Sequence, residues 1–105
     1  GDAKAKEYAH TTQVAMETCS TENSTGSYTG CDLTALRAIE PTIPTTGVKV
    51  EANVPVGGYT IASTGSAGTF TIKREATGAV VFTCTVTSSN RGGCPGTGTA
   101  AGVWG

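Results

Sequence analysis

Four cysteines, Cys19, Cys31, Cys84 and Cys94, are the residues whose chemistry the sequence indicates most directly. An even number of cysteines in a small chain rich in threonine and glycine is typical of disulfides formed in an oxidising compartment. Three pairings are possible, and proximity along the chain favours Cys19–Cys31 together with Cys84–Cys94. A metal site is the alternative, but no Cys-x-x-Cys pair occurs and the single histidine lacks a zinc-ligand spacing. We therefore expect two disulfides, no metal ion and no cofactor.

None of the other titratable side chains falls in a pattern that indicates a catalytic residue. His10 is the only histidine, and it falls within a helical pattern where a solvent-facing position is expected. Glu7, Glu17, Glu22 and Asp32 could in principle form an acid–base pair, but Glu7 and Glu17 fall on a helix surface and Asp32 at a helix cap. The chain offers no nucleophile motif and almost no acidic residue on its strands to line a cleft. We expect a protein that is not an enzyme.

Composition argues against two further classes of function. The chain has 105 residues, 7 Lys+Arg against 8 Asp+Glu and a net charge of -1, whereas a general nucleic-acid binder needs an excess of cations. Lys73, Arg74 and Arg91 could form only a small basic spot, which favours a role in solubility. With 6% aromatic residues there is also little to stack on bases. The chain contains no run of 18 apolar residues, which is about the length that a membrane-spanning helix needs.

One modification motif is present. Asn23-Ser24-Thr25 matches the acceptor sequence for N-linked glycosylation, so Asn23 is a candidate site. Such triplets also arise by chance in a chain with 20 threonines.

The first element that positions these residues is a helix predicted over residues 3–19. Small and apolar side chains recur there at steps of three and four, which places them on one stripe. These residues are Ala5, Tyr8, Ala9, Thr12, Ala15, Met16 and Cys19. No residue caps the start convincingly, and we interpret Gly1-Asp2 as the scar of a cut in a longer helix.

Residues 20–47 are predicted to connect this helix to a sheet and to contain a short helix over residues 32–40. Asp32 is the expected cap, and Leu33, Leu36 and Ile39 lie on one face. Pro41 ends the helix, because the residue before a proline avoids the α region.

From residue 48 onward the hydrophobic period becomes two, which predicts four strands of an antiparallel meander over residues 48–87. One face is apolar, and its final strand contributes Val80, Phe82, Cys84 and Val86. The glycine-rich tail, residues 88–105, is expected to be held by Cys94 and Trp104. These elements predict a single α+β domain over residues 1–105, with the first helix packed on the sheet.

Several segments, taken in order, resemble the globular part of bacterial type IV pilins. They are AKEYAHTTQVAMETCSTENSTGSYTG, LTALRAIEPTI, GGYTIAST, GTFTIKRE and VVFTCTV. The likeness covers most of residues 3–87, and the segment from Cys84 to Cys94 resembles the disulfide-bounded C-terminal region of many pilins. The family's basic leader, cleavage site and long apolar helix are not in this sequence.

The resemblance implies a head domain whose N-terminal apolar helix has been removed. The full-length precursor would lie in the cytoplasmic or inner membrane, be methylated at its mature N-terminus and assemble with other pilin subunits through the pilus machinery. The head would then form the surface of an extracellular fibre for adhesion, motility or DNA uptake, whereas the truncated domain would be monomeric.

A minor pilin or a type II secretion pseudopilin, acting as a binding or capping module, is the alternative function. Major pseudopilins are known for a calcium site in the C-terminal loop, and calcium needs carboxylate ligands. Residues 76–105 contain no Asp or Glu, which favours a pilin.

Overall fold

The structure, a computed structural model, describes residues 1–105. Two helices precede an antiparallel sheet of five strands, and the sheet order follows the chain order. The elements are α1 (Asp2–Glu22), α2 (Leu33–Ile39), β1 (Val48–Ala52), β2 (Tyr59–Thr64), β3 (Gly68–Arg74), β4 (Val80–Val86) and β5 (Gly102–Val103). The predicted α+β class, with a long first helix and a short second one, is confirmed. Neither helix has the length and apolarity that a membrane crossing requires.

Helix α1 packs on β2 and β3 through its small residues. Ala5, Ala9, Thr12, Ala15 and Met16 are all buried, as the stripe in the sequence predicts. The buried Thr12 hydroxyl donates a hydrogen bond to the carbonyl of Tyr8 at 2.7 Å, so burying it leaves no donor unpaired. Short side chains allow the helix backbone to lie close to the sheet.

The bounds of the helices differ slightly from the predicted ones. Helix α1 continues to Glu22 because residues 20–22 contain neither proline nor glycine, and Asn23 takes an extended conformation. The carboxylate of Asp32 caps α2 by accepting a hydrogen bond from Ala35 N–H at 2.9 Å. Glu40 is extended, as expected before Pro41.

The sheet aligns its apolar residues in rows that run across the strands. Val50, Ile61, Ile72 and Phe82 stand opposite one another on β1 to β4 and form one row. A second row consists of Val48, Ser63, Phe70 and Cys84. Both rows lie on the inner face, where Ile61, Ile72 and Phe70 are fully buried. Because the period of a strand is two, the outer face receives the intervening threonines and charged residues.

The expected four-stranded sheet is incomplete, because the tail adds a fifth strand. β5 pairs antiparallel with β4 and places Val103 opposite Thr83 and Gly102 opposite Cys84. A strand of two residues has no alternation to detect, so the sequence pattern could not predict it.

The core contains one buried side-chain oxygen without a hydrogen-bond partner. The Ser63 side chain is 1% exposed, and its hydroxyl makes no hydrogen bond. A buried hydroxyl without a partner loses its hydrogen bonds to water and gains none in return.

We expect Ser63→Ala to raise the free energy of unfolding by about 1 kcal/mol, because it removes this cost. Equilibrium unfolding in urea measures the change. Thr12→Val is the matched control, since it deletes a buried hydroxyl that does have a partner, and we expect it to lower stability. A loss of stability in Ser63→Ala would contradict the assignment.

Candidate functional site

The two disulfides fasten the two irregular segments of the chain. Cys19 is bonded to Cys31, which ties α1 to the segment before α2, and Cys84 is bonded to Cys94, which ties β4 to the tail. These are the pairs that proximity along the sequence favours, and no cysteine is free.

The helix-connecting loop, residues 23–31, is organised by the amide of Asn23. Its nitrogen donates hydrogen bonds to the carbonyls of Ser27 at 2.6 Å and Thr29 at 3.1 Å. A glycan on this nitrogen would replace one of its two hydrogens, so at least one of these bonds would be lost. Glycosylation of Asn23 stays a prediction, and it competes with the loop's own hydrogen bonds.

Tyr28 attaches the same loop to α1 and to the sheet. Its hydroxyl donates to the Glu17 carboxylate, its ring meets Tyr59 edge-on at 5.0 Å, and the Arg74 guanidinium lies 5.3 Å from the ring centre. Burial raises the pKa of Tyr28, and the hydrogen bond to Glu17 and the charge of Glu17 raise it further. Burial also raises the pKa of Tyr59, although a hydrogen bond with Gln13 partly opposes this. Glu17 lies on the helix surface, as its position in the helical pattern predicts, but that pattern does not identify Tyr28 as its partner.

The other candidate acid–base residues are not brought together. Glu7 forms an exposed ion pair with Lys4 at 3.7 Å, Glu22 is exposed at the end of α1, and Asp32 caps α2. His10 is exposed, but its ring also lies 5.1 Å from that of Trp104. The largest surface hollow, about 440 Å³, lies beside α2 and is lined by none of these residues.

Asp2 joins the start of α1 to two distant loops. Its side chain is only 9% exposed, and its two carboxylate oxygens accept hydrogen bonds from Ala67 N–H and Gly93 N–H, each at 3.1 Å. A Cβ at Gly92 would lie 1.9 Å from the carboxylate, so glycine is required for this approach. No sequence pattern assigned a structural partner to Asp2, which was interpreted with Gly1 as a scar. In the structure, its carboxylate accepts hydrogen bonds from two backbone N–H groups.

The tail is held by more contacts than the sequence predicted. The buried Trp104 indole donates to the carbonyls of Thr71 at 3.2 Å and Thr83 at 2.8 Å. Phe70 and Phe82 each meet the indole edge-on at 5.4 Å. The tail is therefore held by Cys94 and Trp104, as predicted, and also by the hydrogen bond to Asp2, by the pairing of β5 with β4 and by Arg91.

The small basic spot that Lys73, Arg74 and Arg91 could form is not present, because Arg91 is buried. Lys73 pairs with Glu75 at 3.3 Å, and Arg74 lies over the ring of Tyr28. Arg91 is buried, because the tail folds around its guanidinium. The sequence gives no sign of which backbone surrounds Arg91, so its burial could not be predicted.

Several large apolar side chains are exposed, and they lie in different parts of the chain. Val14 lies on α1, Val56 follows β1 and Val103 lies on β5, with 67%, 85% and 73% of their areas exposed. A surface that associates with copies of itself in an open array needs contact regions on more than one side.

No protein-family model, no curated protein and no solved structure matches this chain.

We expect Asp2→Asn to lower the free energy of unfolding by about 1–2 kcal/mol, since an amide offers one acceptor where two N–H groups need one each. Urea unfolding measures the loss. Glu7→Gln, which removes a carboxylate from an exposed ion pair on the same helix, is the control and should change stability by less than about 1 kcal/mol. Equal effects of the two substitutions would show that Asp2 does not join the loops.

Alkaline pH should destabilise the fold through Tyr28. Because its pKa is raised above the ordinary 10.0, the folded chain keeps a proton that the unfolded chain releases. The free energy of unfolding therefore falls as pH rises above about 10. Urea unfolding at a series of pH values should show a shallower decline in Tyr28→Phe than in the parent, and an intermediate one in Glu17→Gln. The same slope in all three proteins would be inconsistent with this account of Tyr28.

Proposed function

We propose that this chain is the head domain of a type IV pilin-like structural subunit, which forms the surface of an extracellular fibre. The order of its parts supports this function: a long helix, a disulfide-closed loop, an antiparallel meander and a Cys-bounded C-terminal segment. This is the order for which the sequence resembles the pilin family.

The attachment of α1 to the rest of the domain at both of its ends is the observation that carries the proposal. Near its N-terminus, Asp2 binds the loop between β2 and β3 and the tail. Near its C-terminus, Cys19 is covalently bound to Cys31, and Glu17 accepts a hydrogen bond from Tyr28. A tensile load along α1 would therefore be shared by the sheet and by both irregular segments, as a fibre subunit requires.

The dimensions of the domain fit the same role. Twenty-one residues of α-helix extend about 31 Å, and the longest dimension of the domain is 45 Å. Helix α1 is therefore about two thirds as long as the domain, and its solvent side, which includes Val14, is free for contact with neighbours.

The partners in this proposal are further copies of the subunit and the machinery that assembles them. Heterologous contacts that do not close into a ring produce an open helical filament. The isolated domain is compact, with extents of 45 × 29 × 16 Å, and is consistent with a monomer. Two disulfides agree with export to an oxidising cell surface.

Immunogold electron microscopy of the source cells, with an antibody raised against residues 1–105, tests the proposal. We expect gold particles along the length of surface fibres, and no labelled fibres after the gene is deleted. Complementation with the parent gene should restore them. Label confined to fibre tips would favour the minor-pilin alternative, and unlabelled fibres would exclude both functions.

The exposed valines provide a second, residue-level test of assembly. In the complemented strain, Val14→Lys and Val56→Lys should reduce the number of fibres, because each places a charge in a contact region. Thr77→Lys, at an exposed turn without an apolar side chain, is the control. The purified variant domains should unfold at the same urea concentration as the parent, which separates assembly from stability. Normal fibres from both valine variants would rule out these contacts.

A further inference from the structure

Arg91 is a buried cation whose side-chain hydrogen-bond acceptors include no carboxylate. Its side chain is 9% exposed, and the three ion pairs of the protein join other residues: Lys4–Glu7, Lys49–Glu51 and Lys73–Glu75. A buried charge is stabilised only when its hydrogen-bonding groups find partners. The partners of Arg91 must therefore come from somewhere other than an acidic side chain.

The main chain of residues 94–98 supplies these partners. Nε donates to the carbonyl of Cys94 at 3.0 Å, Nη2 to that of Pro95 at 2.7 Å, and Nη1 to that of Gly98 at 2.9 Å and Thr97 at 3.4 Å. Nη2 also lies 3.5 Å from Cys94 Sγ. Four carbonyl oxygens from five consecutive residues thus converge on one guanidinium.

This segment has few hydrogen bonds within its own backbone, so the guanidinium supplies most of the partners of its carbonyl groups. Within residues 91–100 the backbone makes only two such bonds to itself, Cys94 N–H to Arg91 and Ala100 N–H to Thr97. Gly96 has φ +126°, and a Cβ there would lie 2.6 Å from Nη2. A left-handed glycine is therefore needed both for the turn and for the approach of the arginine.

We propose that residues 94–98 form a guanidinium-binding loop and that Arg91 of the same chain fills it. Only arginine offers five N–H donors in one plane, and the carbonyls of Cys94, Pro95 and Gly98 are placed to receive donors from all three of its nitrogens. A lysine ammonium has the same charge but three donors in a different geometry. This inference does not rest on the proposed function.

The consequence is that a purely internal cation fixes an exposed surface. Residues 95–101 are all exposed, so the loop presents its outer side to solvent while its carbonyls face Arg91.

Chemical rescue of Arg91→Ala in the full 105-residue chain tests the proposal. Backbone ¹H–¹⁵N spectra should lose the dispersed signals of Cys94 and residues 96–100, and millimolar methylguanidinium chloride should restore them in a saturable manner. Methylammonium chloride and calcium chloride should not restore them. Arg91→Lys should show the same loss, because charge alone does not suffice.

Two controls separate the loop from general effects of the additive. Arg37→Ala deletes an arginine that makes one hydrogen bond, from Nε to the Ile43 carbonyl, and methylguanidinium should leave its spectrum unchanged. Gly96→Ala should disturb the same loop signals, whereas Gly26→Ala, also at positive φ but with open space around it, should not.

Native loop signals in either Arg91 variant would overturn the proposal, as would equal rescue by methylammonium or calcium. If Arg91→Ala does not fold, recovery of folding with methylguanidinium alone supports the proposal. Failure to recover folding contradicts it.

Discussion

The close approach of α1 to the inner face of the sheet is the contact on which the rest of the structure depends. It requires alanines at positions 5 and 9, since a larger side chain at either of them would separate the helix from β2 and β3. The rows of apolar residues on the sheet supply the opposite surface. The Cys19–Cys31 disulfide, the Asp2 carboxylate and the Tyr28 side chain join α1 to other parts of the domain around this contact.

A chain of this size needs such attachments because its apolar core is limited. Only 16 hydrophobic residues are buried, and small domains bury a smaller share of their surface than large ones. Each disulfide closes a short loop and contributes about 3 kcal/mol by restricting the unfolded chain. Against a net stability of roughly 5–15 kcal/mol, two such bonds are a large fraction. In the proposed fibre subunit, the same attachments would share a tensile load between α1 and the rest of the domain.

Local patterns in the sequence predicted both helices and four of the strands, but they did not predict the polar side-chain contacts that join distant or irregular parts of the chain. Four strands follow from alternating residues such as those of 80–86, and α2 follows from Asp32 and Pro41. In contrast, Asp2 binds groups 65 and 91 residues away, and Arg91 binds main-chain carbonyls, which have no residue type to recognise. The proximity of Tyr28 to Glu17 likewise depends on how the helix-connecting loop folds back on α1. Side-chain periodicity cannot report such contacts.

Mass spectrometry of fibres sheared from the source cells is the most direct test of the claim that this crosslinked head builds a surface filament. After proteolysis without reductant, we expect peptides of this chain to dominate the fibre digest, with Cys19 linked to Cys31 and Cys84 linked to Cys94. Fibres that contain no peptide of this chain, or fibre subunits with free thiols at all four cysteines, would contradict the claim.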